Sequence, residues 1–497
     1  MTASTAGGLS ARIADVLAID PSANAVEFGG SWCTWGQLAG TASQVAALVD
    51  RPGTEIGVVL RNRPASIGLL LGILQAGGCV VTINPGRGRD RTREDIAALD
   101  LPLVAGHPDD LAELLPAGAR ATSVAIADVG APIVVAAGRD PAPRGGRPGI
   151  AVRMLTSGTT GPPKRIDLSY STFERVLVGA KHYESNRDTG RQLRRGVAIV
   201  NAPLAHVGGL FRVLQCVTDG RSFTLLERFT VEGWVDAVRR HRPATASLVP
   251  AALRMVLEAD LDTDDLGSLR SVISGTAPLD PGDADAFFEK YGVPVLISYG
   301  ATEFGGGVAG WNIADHRAFW STKRGSVGRA HAGCELRIVD PGTGAPVGAG
   351  TDGVLEVKAS QLAGQGWVRT TDLARIDDDG FLWILGRADQ AIVRGGFKII
   401  PDDVRVALER HPSVRGAAVV ARDDRRLGAV PVAAVELWPG ADPAGADELA
   451  EFISPHLARY EVPAEIRLVD ELPRTDSGKV DLSAVTALLG EPRAGRR

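Results

Sequence analysis

Short apolar runs alternate with amphipathic stretches along most of the chain, from about Val26 to Gly386. This alternation is the pattern of a layered α/β domain. A chain of 497 residues also exceeds one ordinary hydrophobic core, so at least two domains are expected. The predicted strands are Ile56–Leu60, Ile150–Leu155, Val197–Val200, Ser222–Leu226, Ser271–Ile273 and Val293–Ile297, with helical patterns at Thr41–Val49, Trp234–His241 and Ala251–Ala259 and shorter β-rich segments at Glu335–Val339, Gly353–Val357 and Phe381–Leu385.

The character of the sequence changes after Gly386. The last stretch has the size of a small domain. It contains a predicted helix Asp402–His411, a strand Gly416–Ala421, a helix Ala446–Leu457 and a polar loop near its end. We therefore predict an α/β protein with a large multi-layer α/β N-terminal domain over residues 1–386 and a small α+β C-terminal domain over residues 387–497.

Composition excludes several functional classes. A net charge of −5 gives no basic footprint for nucleic acid and no polybasic tract for anionic lipid. The most apolar window, Ile67–Ile83, is interrupted by Gln75 and by glycines, which predicts a buried helix running into a buried strand rather than a membrane span. The first residues lack the charged start and long apolar stretch of a signal peptide.

The four cysteines are far apart in the sequence and form no CxxC pair. This spacing argues against a zinc site or a disulfide framework, and a reducing, cytoplasmic location is expected. They are Cys33, Cys79, Cys216 and Cys334.

Lysine is scarce in this chain. Of 54 basic residues only 7 are Lys, which leaves 47 Arg. Where Arg serves nearly every surface cation, a retained Lys suggests a need for a compact, flexible ammonium. Three of the seven, Lys164, Lys398 and Lys479, lie inside the motifs described next.

The strongest local signal follows the predicted strand Ile150–Leu155. The segment Leu155–Lys164 reads LTSGTTGPPK. Such a Gly-, Ser- and Thr-rich loop lets backbone N–H groups and hydroxyls surround phosphate oxygens while a Lys supplies charge. It is not the P-loop pattern, because no GK[ST] follows at the required spacing. Taken alone, the segment is equally compatible with an ordinary surface turn.

Further motifs occur along the chain. One precedes the Gly-rich loop, namely Ala76-Gly77-Gly78 through Asn84-Pro85. The others follow it in this order: Pro203-Leu204-Ala205-His206, Tyr299-Gly300-Ala301-Thr302-Glu303, Thr370-Thr371-Asp372, Gly386-Arg387-Ala388-Asp389, Arg394-Gly395-Gly396-Phe397-Lys398 and Pro473-Arg474-Thr475-Asp476-Ser477-Gly478-Lys479. Together with the Gly-rich loop they resemble the signatures of the adenylate-forming superfamily of acyl- and aryl-CoA synthetases, peptide-synthetase adenylation domains and luciferases. The resemblance covers nearly the whole chain and is closest to the acyl-CoA ligases.

The resemblance implies a nucleotide site that binds ATP and Mg²⁺. Glu303 beside Thr302 offers hard oxygen ligands for an ATP-bound Mg²⁺. Asp372 and Arg387 correspond to the family's two ribose contacts, although a helix N-cap is the alternative for Asp372. Tyr299 corresponds to the residue that stacks on adenine, although it is also compatible with plain core. The implied ATP and AMP contacts are Thr156, Ser157, Gly158, Thr159, Thr160, Gly161, Lys164, Gly275, Thr276, Ala277, Tyr299, Gly300, Thr302, Asp372 and Arg387.

The resemblance also implies an acyl pocket beside the motif Pro203-Leu204-Ala205-His206, which follows the predicted strand Val197–Val200. His206 corresponds to a position at the mouth of that pocket, and its alternative is a structural histidine. Amino-acid-activating domains place an Asp nearby for the substrate ammonium, and none matches here. Glycines and apolar neighbours predict an apolar acid, whereas an inward-facing Arg212 would suit a dicarboxylate of the succinylbenzoate type. The implied pocket residues are His206, Val207, Gly208, Gly209, Arg212, Phe304, Gly305 and Gly306.

The C-terminal motifs imply a catalytic lysine, a hinge and a CoA-binding loop. Adenylation brings a carboxylate against a triphosphate, and Lys479 supplies a mobile ammonium that neutralises both anions. Asp389 corresponds to the pivot about which the mobile small domain turns. Lys479 is followed by Val480-Asp481-Leu482, where many relatives carry a basic residue. The implied CoA contacts are Arg394, Gly395, Gly396, Phe397 and Lys398.

The sequence therefore predicts an ATP-dependent acid:CoA ligase that uses Lys479, Thr302, Glu303 and His206 as catalytic residues and needs no covalent intermediate on the enzyme. The expected partners are a small carboxylic acid, ATP and CoA. The sequence is compatible with either a monomer or a homo-oligomer. Three alternatives remain: an acyl-AMP ligase that loads a carrier protein, a luciferase-like oxygenase, and a non-catalytic nucleotide sensor. Retention of both Lys164 and Lys479 argues against the sensor.

Overall fold

A computed structural model describes residues 7–116, 118–139, 145–156, 164–178, 192–362, 366–394, 397–424, 426–440, 444–475 and 478–490. The described residues of 7–156, 164–334 and 359–366 form one compact unit, here called unit 1. Those of 335–358 and 367–490 form a second, unit 2. Compact packing thus groups residues 335–358 and 367–386 with the C-terminal part, while the functional boundary at residue 386 stays a prediction. Within the described ranges, no helix has the length and apolar character needed to cross a membrane.

Unit 1 holds three sheets. Its strands are β1 Asn24–Phe28, β2 Ser31–Thr34, β3 Glu55–Val59, β4 Cys79–Ile83, β5 Leu103–Gly106, β6 Thr122–Ala125, β7 Val134–Ala136, β8 Ile150–Thr156, β9 Lys164–Ser169, β10 Arg194–Val200, β11 Arg221–Leu225, β12 Thr245–Ser247, β13 Ser271–Gly275, β14 Val295–Ala301, β15 Gly306–Gly310 and β16 Arg329–Ala330. The sheet orders are β7-β6-β5-β3-β4-β8-β9, β10-β11-β1-β2 and β12-β13-β14-β15-β16. The inner strands of the first sheet are parallel, and antiparallel β7 and β9 form its edges.

The helices of unit 1 are α1 Gly7–Leu17, α2 Trp35–Ala46, α3 Pro64–Gln75, α4 Arg89–Leu99, α5 Pro108–Leu114, α6 Tyr170–Phe173, α7 Val207–Thr218, α8 Val231–His241, α9 Pro250–Glu258, α10 Pro281–Tyr291 and α11 Ile313–Lys323. Shorter helical turns occupy Pro85–Arg87, Glu174–Val178, Thr263–Leu266, Thr302–Phe304 and Ser360–Leu362. The strand and helix pattern predicted from the sequence is confirmed, with shifts of a few residues at several element ends.

The predicted buried helix and strand within Ile67–Ile83 are confirmed. Every residue of α3 from Pro64 to Leu74 is buried, as is all of β4. Full burial of one Leu or Ile side chain stabilises a fold by about 1.5–3 kcal/mol, so this apolar run anchors the core of unit 1. The amphipathic helices α8, α9 and α10 pack against strands β12, β13 and β14 and form a second core.

Unit 2 contains two further sheets. Its strands are β17 Cys334–Val339, β18 Gly353–Ala359, β19 Val368–Ile376, β20 Leu382–Arg387, β21 Ile392–Arg394, β22 Phe397–Ile399, β23 Val414–Asp424, β24 Gly428–Leu437 and β25 Glu465–Val469. Its helices are α12 Pro401–Glu409, α13 Ala446–Ile453 and α14 Leu482–Leu489, with short turns at Ala388–Gln390 and Ser454–His456. One sheet runs β17-β18-β19-β20 and the other β22-β21-β24-β23, with β25 beside β24. Helices α12 and α13 cover one face of the second sheet and α14 covers the other, which is the predicted α+β arrangement.

Two predicted helices have different ends in the structure. The helix predicted over Thr41–Val49 begins at Trp35, because Thr34 and Gln37 form a reciprocal capping box at its start. The helix predicted to reach Leu457 ends at Ile453 and continues as a short 3-10 turn that contains Pro455. Proline lacks an N–H group and clashes with the preceding helical turn, so the α-helix cannot continue through it.

Candidate functional site

The ends of the Gly-rich loop are held by a pair of antiparallel strands. Thr156, the last residue of β8, pairs with Lys164, the first residue of β9. Lys164 is exposed, and Arg165 fixes the start of β9 by donating to the Thr82 carbonyl at 2.9 Å and to Asp95 at 2.5 Å. The predicted phosphate contacts Ser157, Gly158, Thr159, Thr160 and Gly161 lie outside the described residues.

The Thr302–Phe304 turn follows directly from β14 and lies beside β9. Phe304 is buried and Glu303 is exposed, so the turn anchors itself through the aromatic ring and leaves the carboxylate accessible. Gly305 then takes a left-handed φ of 66°, which a residue with a side chain adopts only at a cost. The hairpin between β14 and β15 therefore presents the predicted Mg²⁺ ligand at its tip.

Close backbone approach explains Gly300. A Cβ atom there would lie 2.4 Å from the Gly306 carbonyl oxygen and 2.8 Å from the Gly307 Cα. A Cβ at Gly305 would lie 2.4 Å from the Thr172 methyl group. The tight hairpin therefore requires Gly300 and Gly305, and both residues also keep side-chain volume out of the adjoining space.

The predicted adenine edge lies at the end of β13. Gly275 pairs with Ser298 of the parallel strand β14, and a Cβ on Gly275 would lie 2.7 Å from the Ser298 carbonyl oxygen. Thr276 follows with a φ of 71°, a strained value for a β-branched residue that costs on the order of 1–3 kcal/mol. Such strain concentrates where a binding site demands it. Tyr299 lies one residue along β14 from Ser298 and is half-buried.

The motif around His206 follows β10 and leads into α7, with His206 as the residue that precedes the helix. Gly209 packs on the Pro203 carbonyl, whereas no atom of the described residues lies within 4 Å of a Cβ built on Gly208. Phe211 of α7 stacks on Phe173 with ring centroids 4.6 Å apart. The same Phe211 ring lies 3.9 Å from a Cβ built on Gly305, so α7, α6 and the β14–β15 hairpin converge on an apolar wall.

Arg212 does not pair with a carboxylate in the part of the chain that the structure describes. Its guanidinium is half-buried and donates to the Gln215 side chain at 2.9 Å, one turn along α7. Val207 is half-buried at the first position of the same helix. The neutral partner of Arg212 leaves its positive charge available to an anion.

In unit 2, the two predicted ribose contacts lie opposite each other. Asp372 of β19 pairs with Arg387 of β20 in antiparallel register, which places side chains on one face about 5 Å apart. The Asp372 amide donates to the Thr370 hydroxyl at 3.0 Å, and Arg387 donates to the Thr371 hydroxyl at 2.6 Å. Asp372 lies inside a strand and therefore does not cap a helix.

The predicted hinge lies in a short connection between two sheets. Asp389 belongs to the one-turn helix Ala388–Gln390, which joins β20 to β21. Arg394 ends β21 and donates to the carbonyl oxygens of Tyr460 and Val462 at 2.8 and 3.2 Å. Phe397 and Lys398 belong to β22, and the loop residues Gly395 and Gly396 fall outside the described residues.

The Lys479 loop is closed by main-chain bonds. The Thr475 amide donates to the Lys479 carbonyl at 2.7 Å, and Gly478 takes a φ of 76°. The departure at Val480-Asp481-Leu482 has a structural reason: the Asp481 carboxylate caps α14 by accepting from the Ser483 and Ala484 amides at 3.0 Å. Lys479 is half-buried, and its side chain extends from a loop whose main chain is held by these bonds.

Within the described ranges, no three His, Cys, Asp or Glu side chains lie close enough to hold a metal ion. Glu303 and Thr302 supply oxygen donors only. A single carboxylate that shares Mg²⁺ with nucleotide phosphates is the usual arrangement for this ion, so the donors present fit it.

Two residues near the predicted pocket were not found from the sequence. Ser298 and His331 both lie within 3.4 Å of the Cβ position that Gly307 leaves empty. No local motif surrounds His331, and the hairpin that places it is visible only in three dimensions.

Comparison with known proteins identifies two family domains in this chain. The "AMP-binding enzyme" family model matches residues 14–365 and the "AMP-binding enzyme C-terminal domain" model matches residues 404–479. The chain is 30% identical to 4-coumarate–CoA ligase 1 of Oryza sativa subsp. japonica over 351 residues, 67% of this chain and 61% of that protein. It is 28% identical to indoleacetate–CoA ligase of Aromatoleum aromaticum over 502 residues, 95% of this chain and 96% of that protein.

A solved structure is also similar over the full length. The amide bond synthetase McbA from Marinactinospora thermotolerans superimposes with a TM-score of 0.79 at 26% identity, covering 97% of this chain and 100% of that one. The alignment with the rice ligase spans about three fifths of that relative, whereas the indoleacetate ligase and McbA align over nearly their whole lengths.

Proposed function

We propose, from the premise that this chain belongs to the AMP-binding enzyme family, that it is an ATP-dependent acid:CoA ligase that forms an acyl-adenylate and then an acyl-CoA thioester. One observation carries the proposal. The motifs around Thr156, His206, Gly275 and Thr302 follow the carboxyl ends of β8, β10, β13 and β14, each of which has a parallel neighbour. Ligands of open α/β sheets bind at such carboxyl ends.

In the first half-reaction, a carboxylate oxygen attacks the α-phosphorus of ATP and pyrophosphate leaves. The reacting groups are both anions, so the barrier depends on positioning and charge compensation. Lys164 would meet the phosphates at the start of β9, and Asp372 with Arg387 would hold the ribose. Thr302 and Glu303 would hold Mg²⁺, which when bound neutralises phosphate charge.

Lys479 would bridge the carboxylate and the α-phosphate as the new bond forms. Its backbone is held by Thr475, so the long side chain can move without unfolding the loop. In the second half-reaction the CoA thiolate attacks the acyl carbonyl carbon, a C–S bond forms, and the C–O bond to AMP breaks. Between the two steps, a rotation of the small C-terminal domain about Asp389 would move Lys479 away from the adenylate and bring the Arg394–Lys398 loop to the CoA.

The acid is proposed to be apolar over most of its length. Phe211 stacks on Phe173 and approaches Gly305, which follows the buried Phe304, and such apolar surroundings suit an aromatic, alicyclic or fatty acyl group. An acid with a second carboxylate would instead recruit the Arg212 guanidinium.

Pyrophosphate release across a panel of carboxylic acids, with and without CoA, tests the proposal. We expect ATP-dependent release with aromatic or medium-chain acids, and thioester only when CoA is present. Activity confined to acetate or amino acids would contradict the apolar pocket, and no release with any acid would contradict the ligase.

A second candidate is an adenylating enzyme whose acceptor is not CoA. Arg394, one of the predicted CoA contacts, already donates to two backbone carbonyls of unit 2. McbA, an amide bond synthetase by its name, is similar over its whole length. Supplying a carrier-protein phosphopantetheine thiol or an amine in place of CoA separates these acceptors.

A further inference from the structure

We propose that Asn62 is a positioning residue of the acyl pocket. Its buried side-chain amide holds the main chain of residues 202–204 and thereby fixes the position of His206 relative to the incoming acid. This inference rests on the proposed function and deepens it, because it assigns the placement of the His206 motif to a residue outside the motifs found in the sequence.

The Asn62 side chain bonds three backbone groups. It is 5% exposed, and its Nδ2 donates to the Ala202 carbonyl at 3.1 Å and to the Leu226 carbonyl at 2.9 Å. Its Oδ1 accepts from the Leu204 amide at 2.8 Å. An asparagine amide has two N–H donors and one oxygen acceptor, so this arrangement uses both kinds of group. A flipped amide would place its oxygen against two carbonyl oxygens, and the bonds therefore define one orientation.

These bonds lie at the carboxyl ends of three strands. Asn62 follows the end of β3 by three residues, Ala202 follows the end of β10 by two, and Leu226 directly follows β11. Strand β3 belongs to the seven-stranded sheet, whereas β10 and β11 belong to the four-stranded sheet. One side chain thus joins two sheets at the edge where ligands of open α/β sheets bind.

The neighbours of Asn62 hold its own backbone in place. The Arg61 guanidinium pairs with the buried Asp110 of α5, with 2.7 Å between Nη2 and Oδ1. Pro64 begins the buried helix α3 two residues after Asn62. The Asn62 amide therefore extends from a segment that is anchored on both sides.

The bonds of Asn62 reach His206 through one turn of main chain. Ala202 and Leu204 lie on either side of Pro203, so Asn62 holds the chain before and after this proline. The Pro203 carbonyl accepts from the His206 amide at 3.0 Å, and His206 is the residue that precedes α7. The direction in which the chain enters α7, and with it the position of His206, therefore depends on residues 202–204.

Loss of the Asn62 amide would leave three backbone groups without this partner. Leu204 is fully buried, and Ala202 and Leu226 are half-buried. A buried backbone group without a hydrogen bond is costly, so the segment would move until its groups found other partners. A small displacement of a positioning segment is enough to lower the rate of a reaction that depends on alignment.

The location of the bonds predicts which substrate is affected. They go to the segments that follow β10 and β11, whereas the implied adenine and Mg²⁺ contacts follow β13 and β14. Loss of Asn62 should therefore weaken use of the acid more than use of ATP. A residue that only stabilised the fold would change the amount of active protein and leave both KM values as they were.

The experiment measures steady-state pyrophosphate release with ATP and three probe acids, namely benzoate, cinnamate and octanoate. We expect Asn62→Ala to raise the KM for the best of these acids at least about tenfold and to keep the KM for ATP within about twofold. Thr34→Ala is the matched control. It removes the side chain that accepts from the Gln37 amide at the start of α2, so it destabilises unit 1 but should keep both KM values.

Asn62→Asp tests the donated bonds without a change of size. Its ionised carboxylate would face the Ala202 and Leu226 carbonyls, which need donors. Burial beside two carbonyl oxygens favours the protonated form, whose O–H can again donate to one of them. The excess of its acid KM over the wild-type value should therefore shrink between about pH 8 and about pH 6, whereas the excess in Asn62→Ala should not change.

Hydrogen exchange gives a readout that does not depend on activity. The amides of residues 204–206 should exchange faster in Asn62→Ala than in Thr34→Ala, because the amide of Asn62 no longer holds this segment. If Asn62→Ala does not fold, Asn62→Asp takes its place in the exchange and KM comparisons.

The results that would overturn the inference are distinct from a failure of the ligase. An acid KM at the wild-type value, equal rises in both KM values, exchange no faster than in Thr34→Ala, or a defect of Asn62→Asp that persists at low pH would each overturn it. Wild-type protein that releases no pyrophosphate with any acid would refute the ligase itself and, with it, the role of Asn62 in catalysis.

Discussion

Two adjacent glycines at the start of α7 respond in opposite ways to the same substitution. A Cβ on Gly209 would lie 2.2 Å from the Pro203 carbonyl oxygen and 2.5 Å from its carbonyl carbon. A Cβ on Gly208 would have no atom within 4 Å in the part of the chain that the structure describes. Gly209 is buried and Gly208 is exposed. Gly209→Ala therefore tests how tightly the helix packs on the segment that ends at His206.

The magnitude follows from the geometry. Relief of the 2.2 Å approach requires one backbone segment to move by roughly 1 Å, since carbon and oxygen normally stay beyond about 3 Å, and overpacking of this kind costs about 1–3 kcal/mol. Replacing a helical glycine by alanine returns about 0.5–1 kcal/mol. We expect Gly209→Ala to destabilise unit 1 by about 2 kcal/mol and Gly208→Ala to leave it equal or slightly more stable.

Thermal unfolding followed by tryptophan fluorescence measures this difference. Gly209→Ala should lower the midpoint by on the order of 5 °C and reduce pyrophosphate release, because the His206 segment must shift with the helix. Gly208→Ala is the paired control for stability. If both variants unfolded at the wild-type temperature, the close packing of α7 on Pro203 would be refuted.

Three further predictions concern the hinge, the ribose pair and pH. Asp389→Pro should leave single-turnover pyrophosphate release near normal and slow thioester formation by at least about tenfold, because proline restricts φ at the pivot; equal rates in both steps would remove the hinge from this position. Asp372→Ala should raise the KM for ATP at least about tenfold, whereas Asp352→Ala, which removes a surface ion pair with Arg375, should not; equal effects would argue against a ribose contact. Burial alone would raise the pKa of Glu27, but bonds from Arg240, His241 and Thr224 outweigh it and lower that pKa. The resulting stability is present above the ordinary glutamate pKa and is lost as pH falls through the lowered pKa, so Glu27→Gln should cost about 2 kcal/mol near neutral pH and progressively less as pH falls below the ordinary glutamate pKa; a cost independent of pH would contradict this.

Local patterns predicted the elements of this fold better than their ends. The apolar run Ile67–Ile83 could only be buried, and it became α3 and β4. The start of α2 depended on a capping box of two polar residues, Thr34 and Gln37, which a search for apolar periodicity passes over. Strand β19, which carries Asp372, was not predicted as a strand, although its β-branched residues Val368, Thr370 and Thr371 favour one.

The site shows the same division. Candidate residues grouped within one motif, such as Thr302 and Glu303, could be placed together from the sequence because a single turn holds them. The position of Asp372 opposite Arg387 depends on the register of two strands, which the sequence does not show. Each residue was predicted as a ribose contact only through the resemblance to a family. The sequence could not show that Ser298 and His331 lie near each other. The irregular register between β14 and β15 and the absence of side chains at Gly307 and Gly310 bring them close.

The role of Lys479 separates adenylation from thioester formation, and it tests the proposed function most directly. The measurement follows two half-reactions of Lys479→Ala: pyrophosphate release from ATP and an acid, and thioester formation from a supplied acyl-adenylate and CoA. We predict that the first falls by several orders of magnitude, a barrier increase of about 4 kcal/mol or more, while the second continues at a substantial rate. Equal losses in both half-reactions would make the lysine structural and contradict the proposed mechanism.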